Sequence, residues 1–338
     1  MPPRNPGSTP RVKPPAAKTP PAQAAAPNQA PPGNRGITML GAQRTGKTTF
    51  LAALQIALLR RPELGWSITG ENPGSTQALV SFMDEMTHKH LFPQPTGMQI
   101  ENYRWALQAE LKGATREWHW WGFRRRDKYV KIPLNLVDAP GEAADGSRMF
   151  GRAISESLIT NLASSAGIVL FFDPVSEYER GDAFRHTHGV LTQLSSQAAR
   201  NGKLPHYLAV CITKFDEIPV FGSAQKLRVV DYDPENEIPR VPGEYAKEFL
   251  ERLIKMSRSD NASLILPLIQ QTFREERIKY FVTSAIGFYV DPSIGIFDPG
   301  DFQNNIPGKP DRIRGGIFPI NVLEPVLWLG RSMTRTAR

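Results

Sequence analysis

Eight consecutive residues carry the clearest chemistry in this chain: Gly41-Ala42-Gln43-Arg44-Thr45-Gly46-Lys47-Thr48. The spacing is Gly-x-x-x-x-Gly-Lys-Thr, and each element answers a physical need. Glycines let a backbone wrap closely around phosphate oxygens. Successive N–H groups ahead of a helix N-terminus complement negative charge. A lysine at position 47 has the reach to meet β- and γ-phosphates, and the Thr48 hydroxyl suits Mg2+. Arg44, Thr45, Gly46 and the neighbouring Thr49 complete the candidate phosphate-binding set.

Three later segments supply complementary groups. Asp138-Ala139-Pro140-Gly141 ends the apolar run Ile132–Val137. An aspartate at the tip of a buried strand can hold Mg2+, usually through water, and Gly141 can turn its N–H toward a γ-phosphate. Thr213-Lys214-Phe215-Asp216 follows the run Tyr207–Ile212. A carboxylate at 216 can accept hydrogen bonds from guanine N1–H and the 2-amino group, neither of which adenine offers. A buried acceptor left unpaired is costly, so such a site discriminates strongly. The Lys214 stem can cover one base face. Thr283-Ser284-Ala285 follows Ile278–Val282, and its backbone N–H groups are candidates for the guanine carbonyl. Taken singly, Asp138–Gly141 is also an ordinary strand-ending turn, Asp216 an ordinary helix cap, and Thr283–Ala285 uninformative.

The elements that must position these groups alternate. Gly36–Leu40 is predicted as a strand and 49–59 as an apolar helix stopped at Arg61-Pro62. Strands are predicted over Tyr103–Leu111, Tyr129–Val137, Gly167–Phe172, His206–Thr213 and, as the last, Ile278–Thr283. Helices are predicted over Thr76–His90, Asp182–Arg200, Glu244–Met256 and Ala262–Glu276, with Phe92–Gly97 as a loop. The C-terminal Pro319–Leu329 is read as a helix interrupted early by Pro325. Continuous apolar strands alternating with helices point to a doubly wound, mostly parallel α/β sheet flanked by helices.

The order and spacing of Gly41–Thr48, Asp138–Gly141, Thr213–Asp216 and Thr283–Ala285 resemble the P-loop GTPases of the TRAFAC class, with a Ras-like G domain, over about residues 36–290. The resemblance implies a P-loop NTPase fold, GTP/GDP and Mg2+ as ligands, and two mobile switch segments. Thr213 stands where Asn is more usual. The 90 residues from Thr48 to Asp138 are about twice what the pattern needs, so a large insertion at about 62–128 is expected. An extended helical region at about 217–277 is expected inside a G domain of 36–332. The family requires a threonine that closes on Mg2+ and the γ-phosphate. Thr87, Thr96 and Thr115 are candidates, and Thr96 is favoured because Gln94-Pro95-Thr96-Gly97 is a loop just before a strand. Glu142 occupies the position of a water-positioning glutamine. Its charge near phosphate predicts slow hydrolysis, which Arg44, Arg148 or Arg152 would offset. The catalytic candidates are thus Lys47, Thr96 and Glu142, and the metal candidates Thr48, Thr96 and Asp138.

The insertion, the Asp-Ala-Pro-Gly-Glu sequence and the large segment after Asp216 also look similar to bacterial double-GTPase-type proteins, which implies a second GTPase as partner. Three functions stay open: a regulatory GTPase signalling to a protein partner, a nucleotide-binding scaffold without hydrolysis, and an ATPase or kinase. The last would leave Thr213–Asp216 without a role.

Composition bounds these readings. Hydrophobic residues make up 40% of the 338 positions and charged residues 22%, enough for a sizeable core. The formal charge is +8. Residues 1–35 hold Arg4, Arg11, Lys13, Lys18 and Arg35 and no acid; removing these five from the 41 leaves 36 basic against 33 acidic residues. The body is nearly balanced, so a nucleic-acid-binding surface is not indicated. That first segment is read from its composition as a Pro/Ala-rich disordered tail, or as an arm that contacts a partner or an anionic surface. The single Cys211 excludes an intramolecular disulfide and a cysteine-zinc cluster. No apolar stretch is long enough to span a membrane and none forms a secretory leader, so a cytoplasmic location is expected. Trp118, Trp120 and Trp121 ahead of Arg124–Arg126 are read as a hairpin with a basic turn rather than a nucleic-acid platform. The His88/His90 and His186/His188 pairs lack the companions of a metal site.

Overall fold

The computed structural model describes residues 36–93, 102–110, 129–137, 149–199, 202–234 and 236–336. Its centre is a seven-stranded sheet in which chain order and spatial order differ. The strands are β1 (Ile37–Gly41), β2 (Trp66–Gly70), β3 (Asn102–Glu110), β4 (Tyr129–Val137), β5 (Gly167–Phe172), β6 (Tyr207–Ile212) and, after two short strands, β9 (Ile278–Val282). They lie in the order β2-β3-β4-β1-β5-β6-β9. The five from β4 to β9 are parallel, while β3 runs antiparallel to β4 and β2 antiparallel to β3.

The central strands show why continuous apolar runs belong here. Successive side chains point to opposite faces. On β5, Ile168, Leu170 and Phe172 enter one core while Val169 and Phe171 enter the other. On β6, Leu208, Val210 and Ile212 face the first core and Ala209 and Cys211 the second. Helices cover both faces. The second core takes α1 (Lys47–Arg60), α2 (Pro73–Thr87) and α9 (Leu323–Thr336). The first takes α3 (Met149–Ser164), α5 (Asp182–Ala198), α6 (Ile218–Leu227), α7 (Ala246–Met256) and α8 (Ile265–Thr272). This is the doubly wound, mostly parallel α/β arrangement, with a strand–glycine loop–helix unit, the P-loop arrangement, at its middle. Cys211 is fully buried, and burial pushes its thiol up, so it packs as a small apolar residue.

Several expectations are corrected. Ahead of the helix expected over Thr76–His90 lies β2, an edge strand that was not expected, and α2 begins at Pro73, where Asn72 caps it by accepting from Ser75 N–H at 2.7 Å. The helix expected over 182–200 is α5, Asp182–Ala198, and a further helix that was not expected, α4 (Pro174–Arg180), precedes it, separated from it by Gly181 in the left-handed region at φ 62°. The helix expected over Ala262–Glu276 is a 3-10 turn, Asp260–Leu264, followed by the shorter α8. The 217–277 region holds a small hairpin, β7 (Asp231–Tyr232) and β8 (Pro239–Arg240), between its helices. Ile278–Val282 is not the last strand, because β10 (Asn305–Ile306) and β11 (Lys309–Ile313) form a hairpin before α9. Pro325 is the third residue of α9, a first-turn position whose N–H needs no partner within the helix, so nothing is interrupted. Residues 94–97 of the expected loop and the Trp118–Arg126 segment lie outside the described residues.

Candidate functional site

Parallel strands end along one edge of a sheet, and that edge is where groups on different strands can meet. Gly41 pairs with Phe171, Phe172 with Ile212, and Ile212 with Val282. The segments that follow β1, β5, β6 and β9 therefore leave the sheet side by side: 42–48, 173–176, 213–216 and 283–285. β4 ends at Val137 on the same edge, since Met39 pairs with Leu136.

The loop after β1 turns through two left-handed residues, Arg44 at φ 60° and Gly46 at φ 90°. Gly46 is the N-cap of α1 and makes no side-chain cap, so the helix presents its own N-terminal backbone at the loop. Gly41 is required for a different reason: a Cβ there would stand 2.9 Å from both the Phe171 Cβ and the Thr45 Oγ1. Thr45 is fully buried and donates to the Ala42 carbonyl at 2.9 Å, which braces the loop from within. The Lys47 ammonium lies across the loop, donating to the carbonyls of Gly41 at 3.0 Å and Ala42 at 2.9 Å. Arg44 is exposed, and Thr48 and Thr49 are half-buried in the first turn of α1.

The segment after β6, 213–216, is held by hydrogen bonds to its neighbouring strands. Thr213 donates to the Phe172 carbonyl through both its N–H, at 2.9 Å, and its hydroxyl, at 3.2 Å. Phe215 is fully buried, and its N–H donates to the Thr283 carbonyl at 3.2 Å. Asp216 is buried, and the Ser284 hydroxyl donates to its Oδ1 at 2.5 Å. Ser284 Oγ in turn accepts from the Gly287 N–H at 2.8 Å, which orients the hydroxyl proton toward Asp216. Burial pushes the Asp216 carboxyl up to about 6, with the Ser284 hydrogen bond pulling the other way and the charge of Glu217 adding to the rise.

Of the backbone N–H groups of Thr283–Ala285, two are engaged within the fold. The Thr283 N–H belongs to the Ile212 carbonyl at 2.8 Å and the Ser284 N–H to the Ile320 carbonyl at 3.1 Å. Of the three, Ala285 is the residue whose N–H carries no bond among the described residues, so it alone remains as a donor toward a ligand.

Thr96, Asp138, Gly141, Glu142 and Arg148 lie outside the described residues, as does Thr115; for Arg152 only the α3 backbone is described. Thr87 ends α2 with its hydroxyl on the Met83 carbonyl at 2.8 Å, so it serves the helix. His88 lies 3.1 Å from Asp84, its partner one turn back. Among the described residues no group of three His, Cys, Asp or Glu side chains could hold a metal ion, and no helix is long and apolar enough to cross a membrane.

Sequence reasoning missed two acidic residues at this edge. Asp173, directly after β5, is fully buried, and its Oδ2 stands 2.8 Å from the Lys214 ammonium. Glu217 is half-buried, and its Oε1 accepts from the Asn305 amide at 3.2 Å. The signal for Asp173 was present: Asp-Pro after an apolar run is a helix-start signature, with the cap and the first helical position adjacent. Glu217 had none, because its partner is 88 positions away.

No protein-family model matches the chain, and no curated protein matches it. Among solved structures it is similar to the S. cerevisiae Ski7 GTPase-like domain bound to GTP, at 14% identity and a TM-score of 0.35, over 89% of this chain and 50% of that one. The same domain bound to GDP and inorganic phosphate matches at 13% identity and 0.37, again over 89% and 50%. A structure of sup35 complexed with GDP matches at 12% identity and 0.30, over 77% and 40%. The chain thus spans about half the length, or less, of the structures it matches.

Proposed function

We propose that this chain binds a guanine nucleotide with Mg2+ at the edge formed by the tips of β1, β5, β6 and β9, and that it works as a slow GTPase switch toward a protein partner. The observation that carries the reading is Asp216: a buried carboxylate with one oxygen on the Ser284 hydroxyl at 2.5 Å, on the same sheet edge as the Gly41–Thr48 loop. A carboxylate is an expensive residue to bury for structure alone. It is well matched to the paired N1–H and 2-amino donors of guanine, with the Ala285 N–H as donor for the guanine carbonyl and the Lys214 stem on the base face.

The phosphates would take the loop backbone and the N-terminus of α1. Lys47 would exchange its bonds to the Gly41 and Ala42 carbonyls for phosphate oxygens, so the ammonium moves from two neutral acceptors to charged ones. Among the described residues Thr48 offers a hydroxyl suited to Mg2+, and Asp138 and Thr96 are the sequence's further candidates; the ion, when bound, neutralises phosphate charge. Glu142 is the candidate for orienting water. A carboxylate beside phosphate opposes that role, which supports slow turnover and also the scaffold alternative. GTP would order the segments bearing Thr96 and Gly141, and hydrolysis would release them, changing affinity for the partner, of which a second GTPase is one candidate.

Calorimetric titration with GTP, GDP and ATP in Mg2+ tests the reading. GTP and GDP should bind at least ~100-fold more tightly than ATP, and Lys47→Ala should abolish most of that affinity. Equal binding of GTP and ATP would remove the guanine assignment. Single-turnover hydrolysis then separates switch from scaffold: turnover lost in Lys47→Ala supports the former.

A further inference from the structure

Asp173 has two carboxylate oxygens, and the fold uses them for different purposes. Oδ1 accepts from the Val175 N–H at 3.0 Å and the Ser176 N–H at 3.1 Å, capping α4 behind Pro174. Oδ2 meets the Lys214 ammonium at 2.8 Å. The cap needs only one oxygen, and Asn or Ser would serve it without burying a charge. A fully buried carboxylate is tolerated when it is paired, and the pair here reaches a residue of the base-side segment.

Lys214 is itself held. Its backbone sits in the left-handed region at φ 58°, which a non-glycine residue keeps only when its surroundings impose it. Thr213 and Phe215 on either side are fixed by the Phe172 and Thr283 carbonyls. The backbone is therefore pinned at one end of the lysine and the ammonium at the other, with the four-carbon stem between them and about a third of the side chain exposed. Glu217, the other acid at this edge, has an oxygen engaged by Asn305.

We infer that Asp173 is the positioning residue for purine recognition: it holds Lys214 extended, so that the stem lies ready to cover the base that Asp216 reads. This rests on the guanine reading. A flexible lysine would lose rotamer freedom each time a nucleotide bound; here the fold has already restricted it. The lysine charge is directed to the tip of β5, and the stem supplies an apolar surface that does not depend on which exocyclic groups the purine carries.

The test compares GDP and IDP affinities, and nucleotide-free thermal unfolding, for the wild type, Asp173→Asn, Lys214→Met and the double variant. Asn keeps an oxygen for the α4 cap while turning an amide nitrogen toward Lys214. Asp173→Asn should weaken GDP by about tenfold, with the double variant no weaker than the worse single one, since both remove the same positioned stem. The loss should be equal for IDP, which lacks the 2-amino group, and the unfolding temperature should stay close to wild type. Wild-type affinity in Asp173→Asn, losses that multiply in the double variant, or a loss confined to GDP would each overturn the assignment while leaving the guanine reading in place. A wild type that binds neither nucleotide takes down both.

Discussion

At the scale of single residues, the proposed guanine site sets a conflict between stability and recognition at Asp216. Burial holds its carboxyl up at about 6, above the ordinary carboxylate range. Between that ordinary range and pH 6 the folded chain binds a proton that the unfolded chain has released, so folding stability falls as pH rises through this window and the penalty is full at neutral pH. Guanine recognition needs the opposite form, the ionised carboxylate. GDP affinity should therefore hold from pH 8 to about 6 and fall roughly tenfold per unit below it, as fluorescence titration of a labelled nucleotide would record. Asp216→Asn should abolish that step. Its amide oxygen can still accept from Ser284, and removing the buried charge should raise unfolding free energy at pH 7 by about 1–3 kcal/mol. It should also shift preference from guanine toward xanthine nucleotides, whose 2-oxo group the amide can meet. A variant that is less stable and still guanine-selective would contradict both halves.

At the scale of elements, the excursion between β9 and α9 shows how a segment that looks like loop is held. Asn304 is fully buried. Its amide donates to the carbonyls of Ile286 at 3.2 Å and Gly316 at 2.9 Å, and its oxygen accepts from the Gly315 N–H at 2.9 Å. Gly287, at φ 71°, passes so near Phe318 that a Cβ would sit 1.9 Å from its carbonyl oxygen. Phe288, Phe297 and Phe302 pack with Phe221 of α6, and Phe215 joins them through Phe221 and Phe288. Asn304→Ala would remove three hydrogen bonds, one of them to the buried Ile286 carbonyl, and should cost about 2–4 kcal/mol in urea unfolding; a cost below about 1 kcal/mol would mean that the phenylalanine cluster holds the excursion alone. None of this was legible beforehand, because Asn304, Asn305 and Gly315 have loop composition and their partners lie far along the chain. β1, its loop and α1 were legible because every residue needed is contiguous: an apolar run, two glycines, a lysine, an apolar helix. The runs of β5 and β6 were legible because burial on both faces leaves no polar alternation to confuse. α4 was not expected because its seven residues, Pro174–Arg180, carry too few apolar positions to show a helical period, and β2 because an edge strand of five residues carries little apolar signal. Of the site, Gly41–Thr48 and Asp216 could be read directly; Asp173 and the engaged Ser284 N–H could not, since both depend on which strand tips become neighbours.

At the scale of the whole molecule, the candidate site is distributed over four strand tips, and those strands contribute side chains to both cores. β1, β5 and β6 alternate between the two faces, so neither core can open without disturbing the edge where 42–48, 173–176, 213–216 and 283–285 meet. A ligand that spans this edge should thus stabilise the folded body as one unit rather than a single loop. With free GDP at 100 times its dissociation constant, linkage gives about 2.7 kcal/mol, which for a body of this size corresponds to an upward shift of roughly 5 °C in a single unfolding transition. ATP with Mg2+ at the same concentration should shift it little, because the phosphate loop would be engaged while Asp216 stayed without its donors. The comparison separates two sites in one experiment. Equal shifts with GDP and ATP would mean that the loop after β1 accounts for the binding and the base-side segment is structural. A transition that splits, with part of the signal unmoved by GDP, would mean that the two cores unfold independently and that the sheet edge does not link them.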